Sequence, residues 1–447
     1  MKVLIISANT LAATPTGPAY IAAAARQAGH QVAIFDCYLS ENPIANVTTK
    51  IKGFQPDVIG ISIREVTGDI QNPTAEFKTS FFDNRPQIKA MVKQIKSISK
   101  AFIITGGPGF NYFASEWLEY LNLDYGIRGE GEVPFSLFLE RLEQKGDLNS
   151  VPGCIYRVAD RFQTQPRYLN KHLDENALPA YDLFDMKQYR KKQISCGIYT
   201  KRGCPFNCVF CPHSNLEQKR YRMKSPKKVV DEIEWIKHQT GTKKFNFCDN
   251  SFNVPKKHSE AICLELIDRK MNIQWQTGSL KPIGITDELL SLYQSAGAHY
   301  ISLAVESCSE EMLENMHRGY KIKQVEKTFQ TFIKSEIPFG ISILIGGPGE
   351  TRDTIKETFS LLDRYPEIDD IWVSVGLCLW TGYQDIVKTL NQSENQTTSG
   401  NLFNGAYYIS PELEKGFMIE FIQSLEERKA IDYQINIPYS DYSKEDR

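Results

Sequence analysis

The sequence has no long apolar run and no excess of charge of one sign. Its apolar start, Met1–Ser7, is far too short for a signal peptide or a membrane span, and it predicts a buried first strand instead. The formal net charge is −2, which leaves no electrostatic footprint for nucleic acid. We therefore expect a cytoplasmic protein without a transmembrane segment, whose substrate is a small molecule or a lipid precursor.

Seven of the ten cysteines stand alone in the sequence. They are Cys37, Cys154, Cys196, Cys248, Cys263, Cys308 and Cys378. Without an export signal we expect no disulfides, so most of these thiols should be buried as small apolar residues. With 447 residues, of which 41% are hydrophobic and 24% charged, the chain is long enough for two or three ordinary globular domains.

The other three cysteines, Cys204, Cys208 and Cys211, share one loop with the spacing Cys-x3-Cys-x2-Cys. Iron–sulfur clusters are normally held by four thiolates, so three would leave the fourth iron of a four-iron cluster open to an exogenous ligand. A structural zinc site is the alternative, but such sites tend to pair two Cys-x2-Cys units. The chain has no second unit of this kind, and His213 is too close to Cys211 to be a distal partner. The spacing therefore favours a cluster.

The first 145 residues alternate short apolar runs with amphipathic helical patterns, which predicts a parallel sheet covered on both faces. The predicted strands are Val3–Ser7, Gln31–Asp36, Val58–Ile63, Ala101–Thr105 and Tyr125–Arg128. The predicted helices are Pro18–Gln27, Asn42–Lys52, Pro86–Ser99, Ala114–Leu121 and Val133–Lys145. Five such units indicate a flavodoxin-like doubly wound domain, which binds ligands at the carboxyl ends of its strands.

Glycines follow the last two of these strands. The residues concerned are Gly106, Gly107 and Gly109 in the first turn, and Gly129, Glu130 and Gly131 in the second. Glycine turns let a large ligand come close to the backbone. Neither turn matches the Gly-x-Gly-x-x-Gly dinucleotide fingerprint or a Walker A loop. The turns therefore do not predict a site for a dinucleotide or a nucleoside triphosphate.

A second series of βα units follows the cysteine loop and predicts a partial (β/α)6 barrel. Its strands are Cys196–Thr200, Phe245–Cys248, Ile273–Thr277, Tyr300–Val305, Phe339–Ile345 and Ile371–Val375. Chemistry in such barrels gathers at the carboxyl ends of the strands. Polar residues lie there: Asp249, Ser251, Gln276, Ser279, Glu306, and the turn Gly346–Thr351 that contains Gly347 and Gly349. Asp249, Ser251 and Thr351 could equally be helix caps, whereas the Glu306 carboxylate follows an apolar run and needs a partner.

The cysteine spacing, with Phe210 before the third cysteine, resembles the signature of the radical S-adenosylmethionine (SAM) enzymes. In that family the open iron chelates the amino and carboxylate groups of SAM. An external donor such as flavodoxin or ferredoxin reduces the cluster, and cleavage of SAM gives a 5′-deoxyadenosyl radical. The resemblance implies that Glu306 binds the amino group or ribose of SAM and that Gln276 and Ser279 contact its carboxylate or adenosyl group. Relatives often have an arginine near there, where Lys281 is the nearest cation in this chain.

The same resemblance extends to the other cofactor contacts. It places Phe210 and Asp249 beside the cluster and SAM, and the Gly346–Thr351 turn near the adenine. The first domain resembles the cobalamin-binding domain that precedes many radical SAM modules, through Gly60–Arg64, the Gly106–Gly109 turn and Tyr125–Glu132. This implies cobalamin contacts from Arg64 and from both glycine turns.

The first domain lacks the Asp-x-His-x-x-Gly motif whose histidine ligates cobalt, and its only histidine is His30, before a strand. We expect cobalamin bound without a lower histidine. A domain kept only as a scaffold, without the cofactor, stays an alternative.

The predicted domain limits are 1–148 for the cobalamin-binding-like domain, 149–194 for an extended connector, 195–390 for the barrel and 391–447 for a C-terminal extension. We expect the connector's aromatic residues Tyr181, Phe184 and Tyr189 to fasten it to the barrel. The end of the chain departs from the family pattern from residue 377. Its aromatic residues could line the substrate pocket or only cover the barrel; they are Trp380, Tyr383, Tyr407 and Tyr408.

Together these parts imply a cobalamin-dependent radical SAM enzyme that methylates an unactivated carbon. In the family's mechanism the radical abstracts a hydrogen atom and methylcobalamin donates the methyl group. A radical enzyme of the same architecture that performs cyclisation, ring contraction, oxidation or another bond formation is the first alternative. A non-catalytic cobalamin or cluster sensor is the second, and the cysteine triplet with Glu306 argues against it.

Overall fold

The computed structural model describes residues 1–64, 67–69, 81–211, 216–379, 406–428 and 431–435. In chain order the strands are β1 (Lys2–Ser7), β2 (Gln31–Asp36), β3 (Val58–Ser62), β4 (Thr67–Asp69), β5 (Phe81–Asp83), β6 (Phe102–Gly106), β7 (Tyr125–Ile127), β8 (Cys154–Val158), β9 (Arg161–Thr164), β10 (Cys196–Ile198), β11 (Lys201–Arg202), β12 (Arg222–Met223), β13 (Lys244–Phe247), β14 (Gln274–Leu280), β15 (Ala298–Glu306), β16 (Phe339–Ile345), β17 (Asp370–Val375), β18 (Leu377–Leu379), β19 (Ala406–Tyr408) and β20 (Ile431–Ile435).

The helices are α1 (Thr16–Gln27), α2 (Pro43–Phe54), α3 (Arg85–Ile98), α4 (Pro108–Tyr112), α5 (Ala114–Leu121), α6 (Glu132–Glu143), α7 (Met186–Lys191), α8 (Pro226–Thr240), α9 (Lys256–Asp268), α10 (Asp287–Ser295), α11 (Glu310–Asn315), α12 (Ile322–Ser335), α13 (Arg352–Leu362) and α14 (Lys415–Glu427). Short 3₁₀ turns lie at Leu148–Ser150, Leu173–Glu175 and Tyr181–Leu183. Within the described ranges, no helix is long and apolar enough to cross a membrane.

The chain divides into two compact units. The first comprises Met1–Gly68, Phe81–Ile198 and Arg222–Lys244, and the second comprises Asp69–Ser80, Tyr199–Tyr221 and Phe245–Arg447. The first unit contains a sheet with the strand order β2-β1-β3-β6-β7-β8-β9. Its first five strands pair in parallel, because continuous apolar runs such as Val3–Ile6 are buried on both faces. This is the predicted flavodoxin-like order.

The predicted connector is part of the first unit. Strand β8 pairs antiparallel with β7, and β9 pairs antiparallel with β8, so this backbone extends the sheet. Tyr181 Oη donates to Thr16 Oγ1 at 2.9 Å, and Tyr189 Oη donates to Asp36 Oδ2 at 2.7 Å. Phe184 packs against the ring of Tyr181. Tyr181 Oη also lies 3.5 Å from Gly197 O in β10, the first strand of the predicted barrel. The predicted attachment to the barrel thus holds for this contact of Tyr181, whereas Tyr189 attaches the connector to the first domain instead.

The second unit contains five of the six strands of the predicted partial barrel, and the first of the six, β10, is counted with the first unit. Strands β13, β14, β15, β16, β17 and β20 are neighbours in this order, and the pairs from β14 to β20 are parallel. Helices follow the strands and bury an aromatic core, in which the rings of Phe247 and Phe252 stack at 4.4 Å and Trp275 and Tyr293 complete the group. The sequence did not predict β20, which adds the C-terminal end of the described chain to this sheet.

Candidate active site

The three cysteines of the shared loop follow β11, and a glycine closes that loop. Gly203 has φ +84°, and a Cβ there would lie 2.0 Å from the carbonyl oxygen of Arg220. Only glycine fits such an approach. The amide of Gly203 donates to Glu217 Oε2 at 3.0 Å, and that of Cys204 donates to Gln218 O at 3.0 Å. The start of the loop is therefore bound to the segment that follows the loop in the chain.

The cysteine loop offers three thiols to a cofactor. Cys204 and Cys208 are buried, and Cys211 is half-buried. Thiolate sulfur is the donor that iron–sulfur clusters take, each thiolate on a different iron. The donor set therefore suits the predicted cluster, and the assignment of these three cysteines to it stays a prediction.

Asp249 holds the chain segment that leads into this loop. Its Oδ1 accepts from the amides of Thr200 (2.8 Å) and Lys201 (3.2 Å). Its Oδ2 accepts from Thr200 Oγ1 at 2.5 Å and from Lys201 Nζ at 3.3 Å. Both carboxylate oxygens thus have protein partners, and the side chain is fully buried. These hydrogen bonds explain why an aspartate is needed at this position, because it holds the start of the cysteine loop. A contact between Asp249 and a cofactor stays a prediction.

An apolar cluster supports the loop from behind. Phe210 and Val209 pack against it, and the amide of Val209 donates to Met316 O at 3.3 Å. Its buried members are Met312, Met316, Leu344, Leu377 and Tyr408. The Tyr408 side chain is therefore buried in apolar packing behind the loop, and a role in lining the substrate pocket stays a prediction. Trp380, Tyr383 and the Tyr407 side chain lie outside the described residues.

Glu306 ends β15 in a conformation that is rare for a non-glycine residue. Its φ is +71°, and the register between β15 and β16 shifts between Ala304 and Glu306. Ser342 Oγ donates to Glu306 Oε1 at 3.3 Å, and Arg318 Nη2 lies 3.8 Å from the same oxygen. Burial raises the pKa of Glu306, while Arg318 and Ser342 oppose that rise. Such strain costs about 1–3 kcal/mol and clusters at functional sites.

Two cations that the sequence did not assign to this site lie beside the cysteines. Arg318 Nη1 donates to Cys208 Sγ at 3.1 Å, and Lys281 Nζ lies 3.8 Å from the same sulfur. Lys281 Nζ also lies 3.6 Å from the centroid of the Phe206 ring. Burial, together with the nearby Arg318, lowers the pKa of Lys281. Lys281 was noted in the sequence only as the nearest cation. Arg318 carries no sequence signal, because it follows a short helix in an ordinary turn.

Half-buried side chains line one face of the barrel strands. On β14 and β15, Gln276, Ser302 and Glu306 alternate with fully buried residues, and Ser342 occupies the same kind of position on β16. Period-two alternation sends these residues to one face and the core residues to the other. Ser279 is half-buried beyond a register shift in β14. Gln276 pairs with Tyr300, six residues before Glu306 on β15, so the structure does not bring Gln276 and Glu306 together. Their contacts with SAM stay predictions.

The turn after β16 is built around a buried carboxyl group. Glu350 Oε2 accepts from the amides of Gly346 at 2.6 Å and Gly347 at 3.1 Å. Burial raises the pKa of Glu350 to about 8. Gly349 has φ +76°, and a Cβ there would lie 2.7 Å from Asn315 Nδ2. Packing alone therefore requires glycine at 349. Thr351 caps α13, one of the two roles that the sequence left open for it.

Packing also explains the glycines at the edge of the first sheet. Gly107 has φ +105°, and a Cβ there would lie 2.4 Å from Ile63 O. A Cβ on Gly106 would lie 3.2 Å from Ile127 O. The amide of Gly109 donates to Ile63 O at 3.0 Å. The turn after β6 thus brings backbone close to backbone, which needs glycine whether or not a ligand binds.

The turn after β7 is similarly engaged by protein groups. Gly129 donates to Asn111 Oδ1 at 2.8 Å, and a Cβ on Gly131 would lie 2.8 Å from a methyl group of Ile21. Glu130 pairs with Arg222 Nη2 at 2.5 Å and accepts from the amide of Asn170 at 3.0 Å. These contacts give the turn a structural role in the first unit, and its contacts with cobalamin stay predictions.

Orphaned polar atoms lie near the carboxyl edge of the same sheet. Ser7 ends β1, Asn84 precedes α3, and both are buried. In the part of the chain that the structure describes, Ser7 Oγ and both amide atoms of Asn84 have no hydrogen-bond partner. Buried polar atoms without partners are costly, so each needs an explanation, of which a bound ligand is one. A corrinoid, which carries several amide side chains, could satisfy them.

Two other residues that the sequence singled out lie at opposite ends of this sheet. Arg64 is exposed and follows β3 at the carboxyl edge. His30 contacts the amino group of Met1 at the start of the sheet.

Two family models match the chain. The B12 binding domain model covers residues 2–139, and the Radical SAM superfamily model covers residues 198–362. The chain is 28% identical to an uncharacterized methyltransferase of Pyrococcus horikoshii over 376 residues, which are 81% of this chain and 78% of that protein. It is 25% identical over 357 residues to the anaerobic magnesium-protoporphyrin IX monomethyl ester cyclase of Rubrivivax gelatinosus, with 78% of this chain but only 61% of the cyclase covered.

A solved structure shares the fold. It is that of a radical S-adenosylmethionine methyltransferase from Kitasatospora setae with cobalamin and a [4Fe-4S] cluster bound. The TM-score is 0.81 at 17% identity, and the match covers 96% of this chain and 92% of that one. At this level of identity the likeness establishes the two-domain fold and leaves the substrate open.

Proposed function

Because this chain belongs to the radical SAM enzymes that carry a B12-binding domain, we propose that it methylates an unactivated carbon of a small-molecule or lipid substrate. The observation that carries the proposal is the combination of a three-cysteine loop, which leaves one iron of a cluster open, with a flavodoxin-like sheet that has orphaned polar atoms near its ligand-binding edge. The cluster with SAM supplies the radical, and cobalamin supplies the methyl group.

The chain's own residues bind and orient these groups. Cys204, Cys208 and Cys211 hold the cluster, and Asp249 fixes the approach to their loop through Thr200. In this proposal the carboxylate of Glu306 accepts a hydrogen bond from the amino group or ribose of SAM, which its position at the end of β15 supports. Gln276 and Ser279 offer polar groups to the rest of the cosubstrate. The apolar cluster behind the cysteines keeps water from that side of the loop.

Cobalamin in this proposal binds without a lower histidine. The first unit offers Ser7 Oγ and the Asn84 amide as hydrogen-bonding groups near the carboxyl ends of its strands. The Arg64 side chain and the two glycine turns provide the further contacts. An external one-electron donor such as flavodoxin or ferredoxin reduces the cluster.

The names of relatives support methylation and one alternative. Both the Pyrococcus horikoshii relative and the Kitasatospora setae structure are methyltransferases by name. The Rubrivivax gelatinosus relative is a cyclase, so a radical reaction that closes a ring without methyl transfer is the second candidate function.

The test is anaerobic purification with iron, sulfide and corrinoid analysis, followed by incubation with SAM labelled as CD₃ and a metabolite extract. We expect one four-iron cluster and one corrinoid per chain, formation of 5′-deoxyadenosine, and a product that carries CD₃. Formation of 5′-deoxyadenosine with a product that lacks the label favours the cyclase-type reaction. A protein that keeps its cluster but does not bind hydroxocobalamin contradicts the methylation proposal.

A further inference from the structure

Two buried cations lie against the sulfur of Cys208. Arg318 Nη1 is 3.1 Å and Lys281 Nζ is 3.8 Å from Cys208 Sγ. Their residues are only 3% and 4% exposed. Water screens buried charges poorly, so both cations act strongly on any charge that the sulfur carries.

The Arg318 guanidinium is held in place by groups other than Cys208. Its Nε donates to Tyr320 Oη at 2.9 Å, and its Nη2 donates to Ala304 O. Tyr320 Oη in turn lies 2.8 Å from Val305 O and donates to the end of β15. These contacts fix the plane of the guanidinium, so its remaining nitrogen presents an N–H group to the sulfur. Arginine stays charged at any pH at which the protein is folded.

We propose that Arg318, with Lys281 beside it, raises the reduction potential of the cluster by acting through the Cys208 thiolate. A cluster that takes up one electron gains one negative charge, and cations and N–H···S hydrogen bonds near it stabilise the reduced form. Arg318 is then a positioning residue. The inference rests on the proposed cluster at the three cysteines, and it adds which side chains control how readily that cluster is reduced.

A direct contact between Arg318 and the carboxylate of SAM is the competing role. Arg318 Nε donates to Tyr320, Nη1 to Cys208 and Nη2 to Ala304. Nη2 also lies 3.8 Å from Glu306 Oε1, so protein groups surround the guanidinium on several sides. The side chain is also shielded from solvent almost completely. A cosubstrate ligand would need an N–H group that faces open space, so the contacts favour the sulfur as the target.

The test is a redox titration of the reconstituted enzyme without SAM, in which the EPR signal of the reduced cluster is followed. Wild type is compared with Arg318→Met, Lys281→Met and the control Arg364→Met. Arg364 belongs to the same unit, but its side chain is 60% exposed and pairs with Glu326. Iron and sulfide per chain are measured first, so that failure of the cluster assignment is seen separately from an unchanged potential.

We expect Arg318→Met to lower the ratio of reduced to oxidised cluster at a fixed potential about tenfold, which is ~59 mV for a one-electron couple. The factor follows because loss of a charge-assisted hydrogen bond changes an equilibrium by about that much. Lys281→Met should shift the ratio less, in the same direction, and Arg364→Met should leave it unchanged.

Three results overturn the proposal. The first is a wild-type midpoint in Arg318→Met with full iron and sulfide, whether or not SAM binding is weakened. The second is an equal shift in the Arg364→Met control. If Arg318→Met takes up no cluster, Arg318→Gln carries the test, because glutamine removes the positive charge and keeps a polar side chain. The third overturning result is therefore a wild-type midpoint in fully loaded Arg318→Gln.

Discussion

Replacing Glu350 by glutamine should change how the stability of the protein depends on pH. The Glu350 carboxyl group is fully buried, accepts two backbone N–H groups through one oxygen, and has a pKa of about 8 instead of the usual 4.5. A carboxyl group whose pKa is raised by folding binds its proton more tightly in the folded state. Its contribution to stability is thus complete below pH 4.5 and is lost as the pH rises to 8.

The size of this effect follows from the pKa values. Each pH unit inside that window costs about 1.4 kcal/mol, so the change between pH 5 and pH 8 is on the order of 4 kcal/mol. Glutamine keeps an acceptor oxygen for the amides of Gly346 and Gly347 and has no proton to lose. At pH 8 the Glu350→Gln variant should therefore be more stable than wild type, and at pH 5 the two should differ little.

The assay is the melting temperature of both proteins, measured anaerobically at pH 5, 6, 7 and 8. For a unit of about 200 residues, 1 kcal/mol shifts the melting temperature by roughly 2–4 °C, so the difference between variant and wild type should grow by roughly 10 °C over this range. Glu357→Gln, at an exposed position of α13, the helix that follows Glu350, is the matched control and should give a constant difference. Parallel curves for wild type and Glu350→Gln would refute the reasoning.

Two further predictions concern the cysteine loop and the carboxylate beside it. Replacing Cys204, Cys208 and Cys211 together by alanine should abolish the broad visible absorption and SAM cleavage, and a triple variant that keeps four irons and activity contradicts the cluster assignment. Glu306→Gln should keep its cluster but bind SAM roughly ten- to a hundredfold more weakly, because a hydrogen bond to a charged group contributes about 1.5–3 kcal/mol. Unchanged affinity with a lowered melting temperature would instead make Glu306 purely structural.

Local patterns in the sequence predicted most strands and helices to within about two residues. Strands β2 and β16 have the predicted limits, since their apolar runs end at clear breaks. Strand β20 was missed because Ile431–Ile435 lies in a polar segment and becomes a strand only by pairing with β17, some 60 residues earlier in the chain.

The site was predicted less completely than the fold. Spacing alone identified the cysteines, and the end of an apolar strand identified Glu306. The contact of Arg318 with Cys208 joins residues 110 positions apart, so no local pattern could reveal it. For Gly107 and Gly349 the sequence indicated that glycine was needed, but it could not distinguish room for a ligand from close approach to Ile63 or Asn315.

The position of Tyr408 in the apolar cluster has a consequence for biosynthesis. The ribosome makes the cysteine loop nearly two hundred residues before it makes this side chain. At about 5–20 residues per second, roughly 10–40 s pass in which the loop lacks part of its support. During that interval the thiols of Cys204 and Cys208 are less protected than in the finished fold. The packing behind the loop is therefore complete only after translation has passed Tyr408.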